Sequence, residues 1–201
     1  YYFPFNQAAG EYVLENTVQA IQIYSRLFGQ YPRRNLTIIE ADFLDGMEYD
    51  SLYFLSKGFY NLYDGSPQGY LTTIAVHETA HQWWYASIAN DQATQPWLDE
   101  ALCTYSEYLF YENAYPDLKS WWWAYRVDYY NPQGKIDLPI YAYHGFTPYR
   151  DATYLNGAHF LQELRTTIGD PAFFEFLQNY VVVNSGSKST TDGFWNLLSD
   201  Y

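Results

Sequence analysis

The chain has a single cysteine, a single methionine, and ten lysines and arginines against twenty-three aspartates and glutamates in 201 residues. With only Cys103 there is no disulfide within the chain, so no oxidative framework holds the fold and cysteine usage does not fix a compartment. A formal charge of −13 leaves no basic face for nucleic acid or an anionic membrane surface, which argues against both as partners. No run of about 18 apolar residues occurs, so no segment reads as membrane-spanning. The opening YYFPFNQAAG has neither an initiator methionine nor a charged stretch ahead of an apolar one. It reads as an excised fragment, and localisation (secreted, membrane-anchored or cytoplasmic) stays open. Internal repeats and low-complexity tracts are missing too.

Apolar and aromatic residues are abundant. Hydrophobic residues make up 48% of the chain, with 24 tyrosines and 7 tryptophans among them, enough to bury one substantial core. Core packing is the default for most of these rings, and the surplus suits a binding lining or a docking face for neighbouring domains.

Apolar residues recur at helical spacing from Glu11 to Tyr31, with Gly29 and Pro32 as stop signals. Leu36 to Glu40 is short and β-branched like a strand, and a second extended piece is expected from Met47 to Leu55 after the Asp45-Gly46 turn. Gly65, Pro67 and Gly69 mark a loop before a helix over Tyr70 to Ala89, broken at Asn90-Asp91. Further helices are expected from Pro96 to Tyr111, Pro116 to Tyr130, Thr153 to Ile168, Asp170 to Tyr180 and Phe194 to Leu198. The Pro- and Gly-rich stretch from Asn131 to Asp151 reads as a long structured loop. The expectation is a mostly helical α+β chain, a strand-bearing part over 1–69 followed by a helical part over 70–201.

Chemistry concentrates in VHETAHQWW, Val76 to Trp84. His77 and His81 lie four apart on one helix face with Glu78 beside them, an HExxH pattern able to aim two imidazoles at one ion. A chance match somewhere in such a chain is on the order of one in two hundred, so the pair needs a third ligand. Catalytic zinc takes three protein ligands and keeps a fourth position open. Glu100 lies nineteen positions after His81, at the start of the next helix, where two antiparallel helices would bring it beside the histidines.

With that glutamate in place the sequence resembles the gluzincin aminopeptidases related to aminopeptidase N and leukotriene hydrolase, whose pattern is HExxH, eighteen residues, then Glu. WLDEA, Trp97 to Ala101, is similar to that family's WLNEG. Asp99 stands for Asn and Ala101 for Gly, and neither is expected to touch a ligand. The resemblance implies a thermolysin-like catalytic domain that holds one Zn²⁺ through His77, His81 and Glu100, with Glu78 as the base that activates water. Asp45 to Tyr49 resembles the family's GAMEN motif, an extended edge on which Gly46 and Met47 face a peptide backbone and Glu48 holds a free α-ammonium. Asp45 replaces the first Gly and Tyr49 the final Asn. Tyr154 begins a stretch similar to the family's Tyr-x-x-Gly-Ala, which implies a phenol donating to the oxyanion. Thr104, one turn after Glu100, is a candidate hydrogen-bond partner for a ligand. His144 and His159 have no partner at ligand spacing, and an acidic residue that the family carries ahead of WLNE is replaced near Gln95.

The implied activity is removal of the N-terminal residue from a peptide substrate, with flanking domains outside this chain. A gluzincin with endopeptidase or epoxide-hydrolase activity, and a zinc-stabilised domain that binds without turnover, are the alternatives.

Overall fold

A computed structural model describes all 201 residues. Helix α1 (Gln7–Phe28) buries Ala9, Val13, Ala20, Ile23, Tyr24 and Phe28, a stripe at the three- and four-residue spacing of one helix face. Gly29, at φ 118°, ends it in backbone space that favours glycine. A three-stranded sheet follows, β1 (Thr37–Ala41), β2 (Gly46–Tyr49) and β3 (Leu52–Ser56), in the order β1-β3-β2. The pair β1 and β3 is parallel with Ile38 opposite Tyr53, while β2 runs antiparallel to β3 with Glu48 opposite Tyr53. One side of β2 is therefore an unpaired edge.

The single extended piece expected from Met47 to Leu55 is thus a hairpin. Its turn, Asp50-Ser51, carries Ser51 at φ 63°. No Gly or Asn signals it, and the strain is met from outside the turn: Gln82 Oε1 accepts from Ser51 N–H at 2.9 Å, and Gln82 Nε2 donates to Tyr49 O at 3.0 Å.

Ser56 caps the short α2 (Lys57–Asn61) by accepting from Gly58 N–H. Helices α3 (Tyr70–Trp84) and α4 (Trp97–Ala114) form the centre, and every residue of α3 from Leu71 onward is buried. A helix enclosed on all sides needs no polar face. It stops at Trp84, short of the expected Ala89, because Ala86 N–H and Ile88 N–H reach back five residues to His81 O and Trp83 O and the Ser87 hydroxyl takes Gln82 O. These bonds satisfy the last carbonyls of the helix.

Beyond α4, α5 (Lys119–Trp122) widens into π-turns over Trp123–Val127. The expected loop contains α6 (Phe146–Tyr149), and Arg150–Asn156 is again π-helical before α7 (Gly157–Ile168), α8 (Asp170–Asn184) and α9 (Thr191–Leu198). Four of the largest buried side chains are tryptophans, and each finds an acceptor for its indole N–H: Trp83 on Gly29 O, Trp84 on Ser106 Oγ, Trp97 on Thr191 Oγ1 and Trp122 on Glu107 Oε2. These four tryptophans are thus core with their indole N–H groups paired, while the buried Tyr180 hydroxyl has no partner. No helix is long and apolar enough to cross a membrane.

Candidate active site

His77 and His81 project from one face of α3 with ring centroids 4.8 Å apart. Across from them, at the first turn of α4, Glu100 Oε2 lies 3.3 Å from His77 Nε2 and 3.8 Å from His81 Nε2. The three side chains expected to share an ion therefore converge on one point. The opposite edge of each ring is held by a second carboxylate: His77 Nδ1 lies 2.8 Å from Glu107 Oε1, and His81 Nδ1 lies 2.7 Å from Asp99 Oδ1. An Nδ1–H donating to a carboxylate fixes the tautomer whose Nε2 lone pair faces the shared point, the usual support for a metal-binding imidazole.

These carboxylates are held in turn. Arg126 donates to both Glu107 oxygens at 2.8 and 2.9 Å, and Gln92 donates to Asp99 Oδ2 at 2.6 Å. Three carboxylates thus surround two buried imidazoles. Burial opposes charge on His77, but the Glu100 and Glu107 bonds outweigh it and hold the ring up to about 9. On His81 burial is outweighed in the same way, by Asp99 first. A divalent cation with nitrogen and oxygen donors answers the same anionic field, and the donor set fits zinc.

Cys103 is also near, its Sγ 3.2 Å from His81 Nδ1. That ring edge is taken by Asp99, and burial pushes the thiol well up, so the group of His77, His81 and Cys103 does not face the cleft as Glu100 does. In the other cluster, Glu48, His81 and Asp99 bring donor atoms within 4.8 Å of one another, and Glu48, the expected amine clamp, lines the same cavity as the histidines.

Glu78 is 4% exposed and its Oε2 has no hydrogen-bond partner. Burial pushes it up to about 8. A buried carboxylate oxygen without a partner is uncommon in a folded protein, and Glu78 lines the cleft. Gly46 of β2 passes so close to the Glu78 carboxylate that any Cβ would collide with it. Tyr154, on the π-helical turn before α7, lies parallel to the His77 ring at 6.0 Å. Burial first, then the Glu100 charge, raises its phenol well above the ordinary value, so it stays protonated and able to donate.

Around this centre opens a cavity of about 510 Å³ lined by Gly46, Met47, Glu48, Glu78, Tyr154 and Arg150 among others. All eight residues expected from the sequence (Gly46, Met47, Glu48, His77, Glu78, His81, Glu100 and Tyr154) line it. Asp99 is a correction. It touches His81 directly, because the first turn of α4 aims two neighbouring carboxylates at opposite edges of the histidines. No motif marks Glu107 and Arg126, although Glu107 sits seven residues after Glu100 on the same helix face. Thr104 donates to Glu100 O at 2.7 Å and so bonds the backbone of that residue. Gln95 Oε1 instead accepts from Thr191 N–H. His159 lies 3.1 Å from Asp128 and stacks on Trp123 away from the centre.

The sequence profile of the peptidase family M1 domain matches residues 12–201. The chain belongs to peptidase family M1. Among M1 relatives, aminopeptidase M1-D of Oryza sativa subsp. japonica is 24% identical over 95% of the chain and 24% of its own length. Aminopeptidase 2 of Candida albicans is 21% identical over 100% of the chain and 23% of its own length. The chain thus spans about a quarter of the curated relatives it matches. A crystal structure of an M1 zinc metallopeptidase mutant from Deinococcus radiodurans superposes with a TM-score of 0.71 at 22% identity, over 92% of the chain and 40% of that protein. The same mutant bound to a Tyr-Ser-Ala substrate gives 0.70 with the same coverage. That likeness bears out the mostly helical M1 fold with its small sheet.

Proposed function

We propose that the chain is the catalytic part of a zinc aminopeptidase, with residues 1–69 supplying the substrate edge and residues 70–201 the metal-binding helices. The observation that carries this reading is the joint placement of two features. Nε2 of His77, Nε2 of His81 and Glu100 converge beside an unpartnered buried Glu78, and Glu48 of the edge strand lines the same cavity. The names of the M1 relatives, aminopeptidases in Oryza sativa and Candida albicans, support it.

In this reading His77, His81 and Glu100 hold one Zn²⁺, which supplies Lewis acidity for the scissile carbonyl and for water. Glu78 takes the proton of the attacking water and returns it to the leaving amine. The Tyr154 hydroxyl donates to the oxyanion. The backbone of Gly46 and Met47 pairs with the peptide as an added strand, and the Glu48 carboxylate holds the α-ammonium, which restricts cleavage to the first residue.

The test is Glu78→Gln. The variant should keep its zinc and lose hydrolysis by roughly a hundredfold or more, whereas retained turnover would remove Glu78 from the mechanism. An N-acetylated peptide should resist the wild type. Its cleavage would point to the endopeptidase reading, and zinc content without hydrolysis of either peptide to the binding domain.

A further inference from the structure

The two ends of the cleft carry different side chains, and the hairpin fixes which is which. Strand β2 runs alongside α3 in the same sense, since Gly46 abuts Glu78 while Tyr49 O accepts from Gln82 one turn further on. Glu48 therefore stands at the His81 end, with Gln92 Nε2 3.5 Å away and Asp99 beside it. At the other end, past Gly46, the cleft is lined by Tyr70 at the start of α3, Tyr130, Arg126 and Arg150. If the substrate amine sits on Glu48, the residues after the cleaved bond run toward that second end.

Arg150 is held there as a fixed cation. Its Nε and Nη2 both donate to Asp151 Oδ1, at 2.8 and 2.6 Å, and its guanidinium lies 4.0 Å over the Tyr130 ring, whose hydroxyl is tied to that of Tyr70 at 2.7 Å. Nη1 has no partner in the protein. The side chain is 23% exposed, enough for a ligand to reach and too little for free rotation in water. Arg126 faces the same end with its charge answered by Glu107, as Asp151 answers that of Arg150, and Asp45, whose Oδ1 accepts from Gly46 N–H, is a further acidic group lining that end. A guanidinium edge fixed in place with donors to spare is matched by a carboxylate.

We infer that Arg150 is a specificity-determining residue that receives a substrate carboxylate on the leaving-group side of the cleaved bond. This rests on the aminopeptidase reading for its direction. The carboxylate has two sources, the C-terminus of a very short peptide or an acidic side chain after the cleaved bond, and one pair of ligands tests each.

The experiment measures binding to the zinc-loaded Glu78→Gln protein by calorimetry, so that it does not depend on turnover. Ala-Ala is compared with its C-terminal amide, and Ala-Asp-amide with Ala-Asn-amide. In at least one pair the acid should bind roughly ten- to hundredfold more tightly, the range of a charge-assisted hydrogen bond. Arg150→Met should bring that ratio close to one, and Arg150→Lys should keep part of it, which separates lost recognition from a damaged fold. Equal binding of acid and amide in both pairs, or a preference that survives Arg150→Met, overturns the inference. If the wild type cleaves no peptide but the ratio still depends on Arg150, the aminopeptidase reading fails and the carboxylate site stands.

Discussion

Asp99 and Glu100 are adjacent in sequence and do different work on the same histidine. Glu100 faces His81 Nε2 at 3.8 Å while Asp99 takes Nδ1 at 2.7 Å. Removing a carboxylate that orients a ligating imidazole typically lowers metal affinity about 10- to 100-fold. Asp99→Ala should therefore weaken zinc binding by that factor, read by competition with a chelator, and Asp99→Asn should lose less because an amide oxygen still accepts from Nδ1–H. Equal zinc affinity in all three proteins would count against the role. Glu107 is different because it also answers Arg126. Glu107→Ala leaves a buried guanidinium unpaired, a loss of roughly 3–5 kcal/mol that should appear as a lowered denaturant midpoint even without metal. A midpoint within error of the wild type would show that water or Asp45 reaches Arg126. The proposed metal ligands are legible at this scale because helix periodicity places His77 and His81 together and zinc chemistry demands a third donor. The partners on the far edges were harder to read. Spacing shows which face a residue occupies, but not which ring nitrogen its carboxylate meets.

At the scale of elements, close approach decides more than propensity. Gly157, the first residue of α7, faces Ala101 of α4, and a Cβ on Gly157 would lie 2.5 Å from the Ala101 Cβ. Neither group can rotate away, so Gly157→Ala must push α7 and α4 apart, displacing Glu100 on one side and, three residues upstream of Gly157, Tyr154 on the other. A destabilisation of about 1–3 kcal/mol is expected, the usual cost of overpacking, and it should be relieved by pairing the substitution with Ala101→Gly. Failure of the double variant to recover stability would place the strain elsewhere. The sequence shows most helices here, because stop signals such as Gly29 and Pro32 are local. It hides the β2–β3 reversal, whose turn is stabilised by Gln82 from a helix about thirty residues on. It also hides the π-helical turns that precede α7, since a shift from 3.6 residues per turn over seven residues leaves no clear period.

For the whole molecule, the acidic balance sets the response to pH, and ion pairs between elements resist it. Arg165 of α7 joins α4 and α8 by donating to Glu112 at 2.9 Å and to Asp170 at 2.9 and 2.7 Å. The guanidinium holds the Asp170 carboxyl below its ordinary value. A group whose folded value is lowered contributes stability that is complete above the unfolded value, near 4, and is lost as the pH falls through the folded one. Asp170 is largely exposed, so solvent screens the pair and the contribution is small. Only the difference between wild type and Asp170→Asn isolates it, because the other carboxylates titrate alike in both proteins. That difference in denaturant midpoint should be constant from about pH 7 to pH 5 and shrink toward zero below about pH 4. A gap that stays the same down to pH 3 would mean that the Asp170 charge does not carry the tie between helices, which then rests on Glu112.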